Sequence, residues 1–139
     1  MLRESGILTA VTAEKRTVLV IDDEEAVRQV LSRFLTKAGY EVRVAADAQE
    51  ALQMAHSLSP PDLIVLDLMM PMMSGFELLN ALRVNPEWTK IPVVVLTATM
   101  GYSAGYLQAD ALLQKPFDPV TVQAAIDAAI AAKSKALPG

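Results

Sequence analysis

The chain has 139 residues, 53% hydrophobic and 20% charged, with a formal net charge of −4. That suffices for one domain with a full core, is too apolar for disorder, and lacks the basic footprint of a nucleic-acid binder. Cysteine is absent, which excludes disulfides, thiolate zinc sites and thiol catalysis and is compatible with a reducing cytoplasm. No apolar stretch approaches the length of a membrane span.

Residues 1–15 read as a mobile tail. The mildly apolar run Ile7 to Ala13 is interrupted by two threonines and preceded by Glu4, a poor secretory signal. Thr17 to Ile21 is a β-branched run that stops at Asp22-Asp23. Glu24 to Gly39 carries Val27, Val30, Leu31, Phe34, Leu35 and Ala38 at helical spacing, with Gly39 as the stop. Glu41 to Ala45 alternates polar and apolar, as a strand near a sheet edge does. Asp47 and Glu50 have capping-box spacing for a helix reaching about Ser57, and Pro60-Pro61 ends the segment.

Leu63 to Leu66 is apolar throughout, the pattern of a strand buried on both faces of a parallel sheet, and it stops at Asp67. Pro71 and Gly75 mark a turn. Ser74 and Glu77 then form a second capping box, for a helix expected to turn Phe76, Leu79 and Leu82 inward. Asn85-Pro86 breaks it. Pro92 to Thr97 is a fourth buried strand with its proline at the permissive first position. Thr99 to Gln108, with Gly101 and Gly105, predicts a loop or one short helix. Ala111 to Gln114 is a fifth strand ending at Lys115-Pro116. Asp118 to Lys133 is a last helix with Val122, Ile126, Ala129 and Ile130 inward, and 134–139 reads as a frayed tail. Strands alternating with helices through short loops spell one doubly wound α/β domain over 16–133.

Right-handed crossovers make such strands parallel, so their carboxyl ends share one sheet edge, where α/β folds bind ligands. Asp22-Asp23, Asp67, Thr97 and Lys115 all end strands and must therefore converge. Carboxylates about 5 Å apart at an effective dielectric near 20 repel by roughly 3 kcal/mol per pair. A divalent cation removes that cost, and hard oxygen ligands describe Mg2+, with Mn2+ as a substitute. Lys115 and Thr97 are equipment for holding a phosphoryl group, and Asp67 can attack phosphorus as a carboxylate nucleophile.

The motifs VLVIDDEE, PDLIVLDLMMPMMSGFELL, IPVVVLTA and LLQKPF resemble the receiver domain of two-component response regulators, over about Arg16 to Lys133. The resemblance implies a flavodoxin-like five-stranded parallel sheet of order 2-1-3-4-5. It implies that Asp67 is the phosphoacceptor, Asp23 a direct magnesium ligand, Asp22 a ligand largely through water, and the Met69 main-chain carbonyl a further ligand. Thr97 would be the switch hydroxyl and Lys115 the phosphate partner, with a cis bond to Pro116. Two departures stand out. Leu112 occupies the switch position where the family usually has Tyr or Phe, and Thr97 to Lys115 is about one helical turn shorter than in most members, so the fourth helix is short or absent.

The function expected is that of a single-domain response regulator. It would take phosphate from a histidine kinase or phosphotransfer protein and signal through contacts with a downstream protein, in the cytoplasm, as a monomer or weak dimer. Neither nucleic acid nor membrane is an expected partner. It would be no enzyme beyond catalysing its own phosphorylation and dephosphorylation. One alternative is a binding module that no longer needs phosphate. Another, an aspartate-nucleophile phosphatase, wants an acid two residues after the nucleophile, where Met69 stands. Met69, Met70, Met72 and Met73 suit adaptable packing better than a metal site. His56 reads as a surface residue, and Trp88, Tyr102 and Tyr106 as loop packing ahead of partner anchors.

Overall fold

The computed structural model describes residues 15–98 and 101–136, with only the backbone of 106 and 134–136. The tail expected over 1–15 lies outside these residues apart from Lys15, as do Thr99 and Met100 in the fourth crossover and 137–139. The strands are β1 Thr17–Ile21, β2 Glu41–Ala45, β3 Leu63–Asp67, β4 Val93–Thr97 and β5 Ala111–Gln114. The helices are α1 Glu25–Lys37, α2 Ala48–Ser57, α3 Gly75–Arg83, α4 Ala104–Leu107 and α5 Pro119–Ala136. The sheet has the order β2-β1-β3-β4-β5 and every pairing is parallel. This is the doubly wound order 2-1-3-4-5 that the resemblance to receiver domains implies.

Two cores follow from strand alternation. Leu19, Ile21, Ile64, Leu66, Val93 and Val95 face α2, α3 and the single turn of α4. Val18, Val20, Leu63, Val65, Val94 and Leu96 face α1 and α5. Because β3 and β4 are covered on both sides, every residue of both strands is buried, which is why they read as unbroken apolar runs.

Local chemistry sets the element ends. Gly39 sits at φ +101 just past α1, the left-handed position that favours glycine. Ser74 forms the full capping box with Glu77. At α2 the box is displaced: Asp47 accepts from the Glu50 N–H, but Glu50 bonds back to the Ala46 N–H rather than to that of Asp47.

Several inward positions differ from those the spacing suggests. On α3 the buried stripe is Gly75, Leu78, Leu79 and Leu82. Phe76, one residue off that i, i+3, i+4, i+7 line, is 41% exposed. On α1 Leu31 and Leu35 carry the burial, while Val30 lies outward. The last helix continues to Ala136, three residues beyond the end expected at Lys133. Trp88 is no surface anchor, being 2% exposed within the α2/α3 core.

Candidate functional site

The carboxyl ends of the strands bring the acid pair, Asp67, Thr97 and Lys115 to one edge. Asp22 follows β1 and stays in register with β2 through its N–H to the Ala45 carbonyl. Its Oδ1 accepts from the Glu24 N–H at 2.9 Å, and its own carbonyl accepts from Arg28 Nη1 at 2.8 Å. Asp67 ends β3, with Oδ1 accepting from the Met69 N–H at 3.0 Å. Thr97 ends β4, and its carbonyl accepts from the Lys115 N–H at 2.8 Å, which ties the lysine's backbone to the same edge. Asp22, Asp67 and Thr97 are buried, whereas Asp23 is exposed. The Lys115–Pro116 peptide is cis.

Asp22, Asp23 and Asp67 each offer an oxygen within 4.8 Å of the others. Asp22 Oδ2 is buried, with Lys115 Nζ 2.9 Å away as its near neighbour. An oxygen-only donor set, buried on two sides and open at Asp23, fits a hard divalent cation that keeps part of its water.

Lys115 Nζ stands 2.7 Å from Glu24 Oε1, 2.9 Å from Asp22 Oδ2 and 3.4 Å from Asp67 Oδ2. Burial works against its charge, but hydrogen bonding to Glu24 and Asp22 and the charges of Asp22 and Asp67 prevail, holding the amine above the usual lysine range. Asp67 moves the other way for a carboxyl. Burial, joined by the charge of Asp22, pushes it up to about 6 against the opposing Met69 N–H and Lys115. Its carboxylate is thus held in poorly solvated surroundings between Asp22 and Lys115. Glu24 is lowered by its hydrogen bond to Lys115 and by that charge.

Leu112 pairs with Val95, and Thr97 with Gln114. Strand alternation therefore puts the Thr97 and Leu112 side chains on the same face, the α2/α3/α4 side. Leu112 is half-buried against that core, which also holds Leu107 of α4. His56 is exposed. The methionines divide: Met70 packs in the core, while Met69 is 57% exposed and Met72 fully so.

Three contributors escape a motif reading. Arg28 holds the Asp22 backbone, Glu24 holds Lys115, and Gly75 lies directly against the Asp67–Leu68 backbone. Glutamate at a helix N-cap, where Ser, Thr, Asp or Asn is preferred, is the one sequence signal that could have flagged Glu24.

A parallel α/β sheet with this acid, hydroxyl and amine set at its carboxyl edge defines a phosphoryl-accepting signalling domain as a class. The sequence pattern of the response regulator receiver domain matches residues 18–127, and the chain belongs to that family. The response regulator RR06 of Streptococcus pneumoniae is 43% identical over 117 residues, 81% of this chain and 52% of its own. The alkaline phosphatase synthesis transcriptional regulatory protein PhoP of Bacillus subtilis is 36% identical over 130 residues, 88% of this chain and 52% of its own. The chain thus spans about half the length of these curated relatives. Among solved structures, the chemotaxis protein CheY4 of Vibrio cholerae superposes with a TM-score of 0.76 at 34% identity, over 83% of this chain and 98% of that one.

Proposed function

We propose that the chain accepts a phosphoryl group on Asp67 from a histidine kinase or phosphotransfer protein, with Mg2+ at the acid cluster. The observation that carries this is the convergence of three carboxylates within 4.8 Å, with Lys115 Nζ 3.4 Å from Asp67 Oδ2. A carboxylate oxygen of Asp67 forms the new bond to phosphorus as the donor's phosphorus–nitrogen bond breaks, and the departing imidazole keeps the nitrogen lone pair and takes a proton. Asp22, Asp23, Asp67 and the Met69 carbonyl would hold the cation, which supplies charge neutralisation to the incoming phosphoryl oxygens. Lys115 and the Thr97 hydroxyl bind those oxygens once they arrive.

The receiver unit runs from about residue 16 through α5, and signalling proceeds through protein contacts of this unit in the cytoplasm. Among the described residues no helix is long and apolar enough to cross a membrane. Incubation with acetyl phosphate, with and without magnesium, followed by intact mass measurement, tests the reading. One added phosphoryl group, magnesium-dependent and lost in Asp67→Asn, is expected, whereas phosphate mapped to Ser74, Thr97 or His56 would refute it.

A second reading keeps the fold but dispenses with phosphate for output. It is favoured by Leu112, which has no ring to rotate and is already packed against the core. Partner binding unchanged by Asp67→Asn would select it.

A further inference from the structure

Glu24 breaks a local rule and meets a second residue in doing so. It occupies the N-cap of α1 but makes no side-chain capping bond, so the first turn of α1 forgoes that contact. Its carboxylate turns instead to Lys115 Nζ at 2.7 Å, the shortest of the three acid contacts to that amine. Asp67, the group beside which Lys115 has to work, has the longest, at 3.4 Å. The lysine is thus drawn toward α1, and an arriving phosphoryl group has to compete for it with an exposed carboxylate.

We propose that Glu24 is a positioning residue, a latch that holds Lys115 in the resting site and is displaced when phosphoryl oxygens take over the amine. The proposal rests on the reading of Asp67 as phosphoacceptor and deepens it by naming what restrains that site. Glu24 touches neither donor nor phosphorus and acts through Lys115. An exposed acid suits this task because water receives its carboxylate on release, so the exchange leaves no buried charge unpaired.

The test compares Glu24→Gln with Glu25→Gln, which removes the same charge one residue along α1. Two readouts are taken: the rate at which acetyl phosphate phosphorylates the protein in magnesium, with acetate as leaving group, and the side-chain carbon NMR signals of Lys115 without donor or metal. Glu24→Gln should speed phosphorylation roughly two- to fivefold, the scale of a solvent-exposed ion pair, and should shift and sharpen the Lys115 signals. Glu25→Gln should do neither, and Glu24→Asp should restore part of the restraint. Equal effects in the two Gln variants, or a Glu24→Gln rate at or below wild type, would overturn the latch. Wild-type protein that takes no phosphate would instead overturn the phosphoacceptor reading. Unchanged Lys115 signals in Glu24→Gln would then still count against the latch.

Discussion

Gly75 lies so close to Asp67 that a Cβ at position 75 would stand 2.3 Å from the Asp67 carbonyl oxygen and 2.8 Å from Leu68 Cα. The obstacle is backbone, so no rotamer change can relieve it. The Gly75 N–H also donates to the Leu68 carbonyl at 2.9 Å, clamping the start of α3 to the end of β3. The residue is there for close approach, since its φ is not among the left-handed ones.

Gly75→Ala should therefore destabilise the protein even though alanine is the better helix former. Helix propensity favours the change by at most about 1 kcal/mol, whereas overpacking against backbone costs about 1–3 kcal/mol. Urea denaturation should show a net loss, and acetyl phosphate should label Asp67 more slowly because the strand end has moved. A variant as stable and as reactive as wild type would mean that the helix start slides freely over the strand.

The metal-free protein should lose stability as pH rises. Asp67 is raised from 3.8 to about 6, so between those values the folded state holds a proton that the unfolded chain has released. That contribution is complete below about pH 4 and is lost as pH rises through about 6. Asp67→Asn should be more stable than wild type in a chelator near pH 7.5, with the gain vanishing near pH 4. Urea titrations at the two pH values measure this directly, and a gain independent of pH would contradict it.

Magnesium should raise the thermal midpoint and remove much of that pH dependence. Binding to the folded state alone adds about 2.7 kcal/mol at a hundredfold excess over Kd. Asp23→Ala should abolish the shift while leaving the fold intact, because Asp23 is exposed and faces water when the metal is absent. A midpoint that still rises with magnesium in Asp23→Ala would place the ion elsewhere.

Lys115→Ala should leave the fold formed but uncouple phosphate from structural change. Its amine is in contact with Asp22, Glu24 and Asp67 together, and truncation leaves their mutual repulsion uncompensated. Amide shifts around Thr97 on phosphorylation should shrink sharply. Wild-type shifts throughout the site would disprove the role.

The α4 region should exchange its amides quickly. The helix is one turn, closed by Leu107 N–H to Ser103, Gln108 N–H to Gly105 and Ala109 N–H to Ala104, with Gly101 at φ +99 before it. Two turns or fewer carry little cooperative reserve, and among the described side chains of α4 only Leu107 is buried. Hydrogen exchange over 101–110 should be much faster than in α5 and should slow on phosphorylation. Protection equal to that of α5, unchanged by phosphate, would rule out a role for this loop in switching.

By itself the sequence determined the order and type of the elements, because periodicity and turn chemistry are local. Leu63 to Leu66 and Val93 to Leu96 are short unbroken apolar runs bounded by turn signals, the pattern of doubly covered strands, and Gly39 and Ser74 mark helix ends by backbone and capping chemistry alone. The convergence of Asp22, Asp67, Thr97 and Lys115 also followed, since parallel strands leave their carboxyl ends nowhere else to be. What only the tertiary structure decided were relations between residues far apart in the chain whose distance depends on packing. Spacing does not reveal that Phe76 misses the buried stripe of α3 by one position, or that Trp88 is buried. Nor does it reveal that Gly75 backs onto Asp67, since close approach leaves no trace in a local pattern. The contact of Glu24 with Lys115 spans 91 positions. It exists because β1 and β5 end at one edge and a flexible amine there takes the nearest carboxylate, a choice that electrostatics makes only after the fold has brought the candidates together.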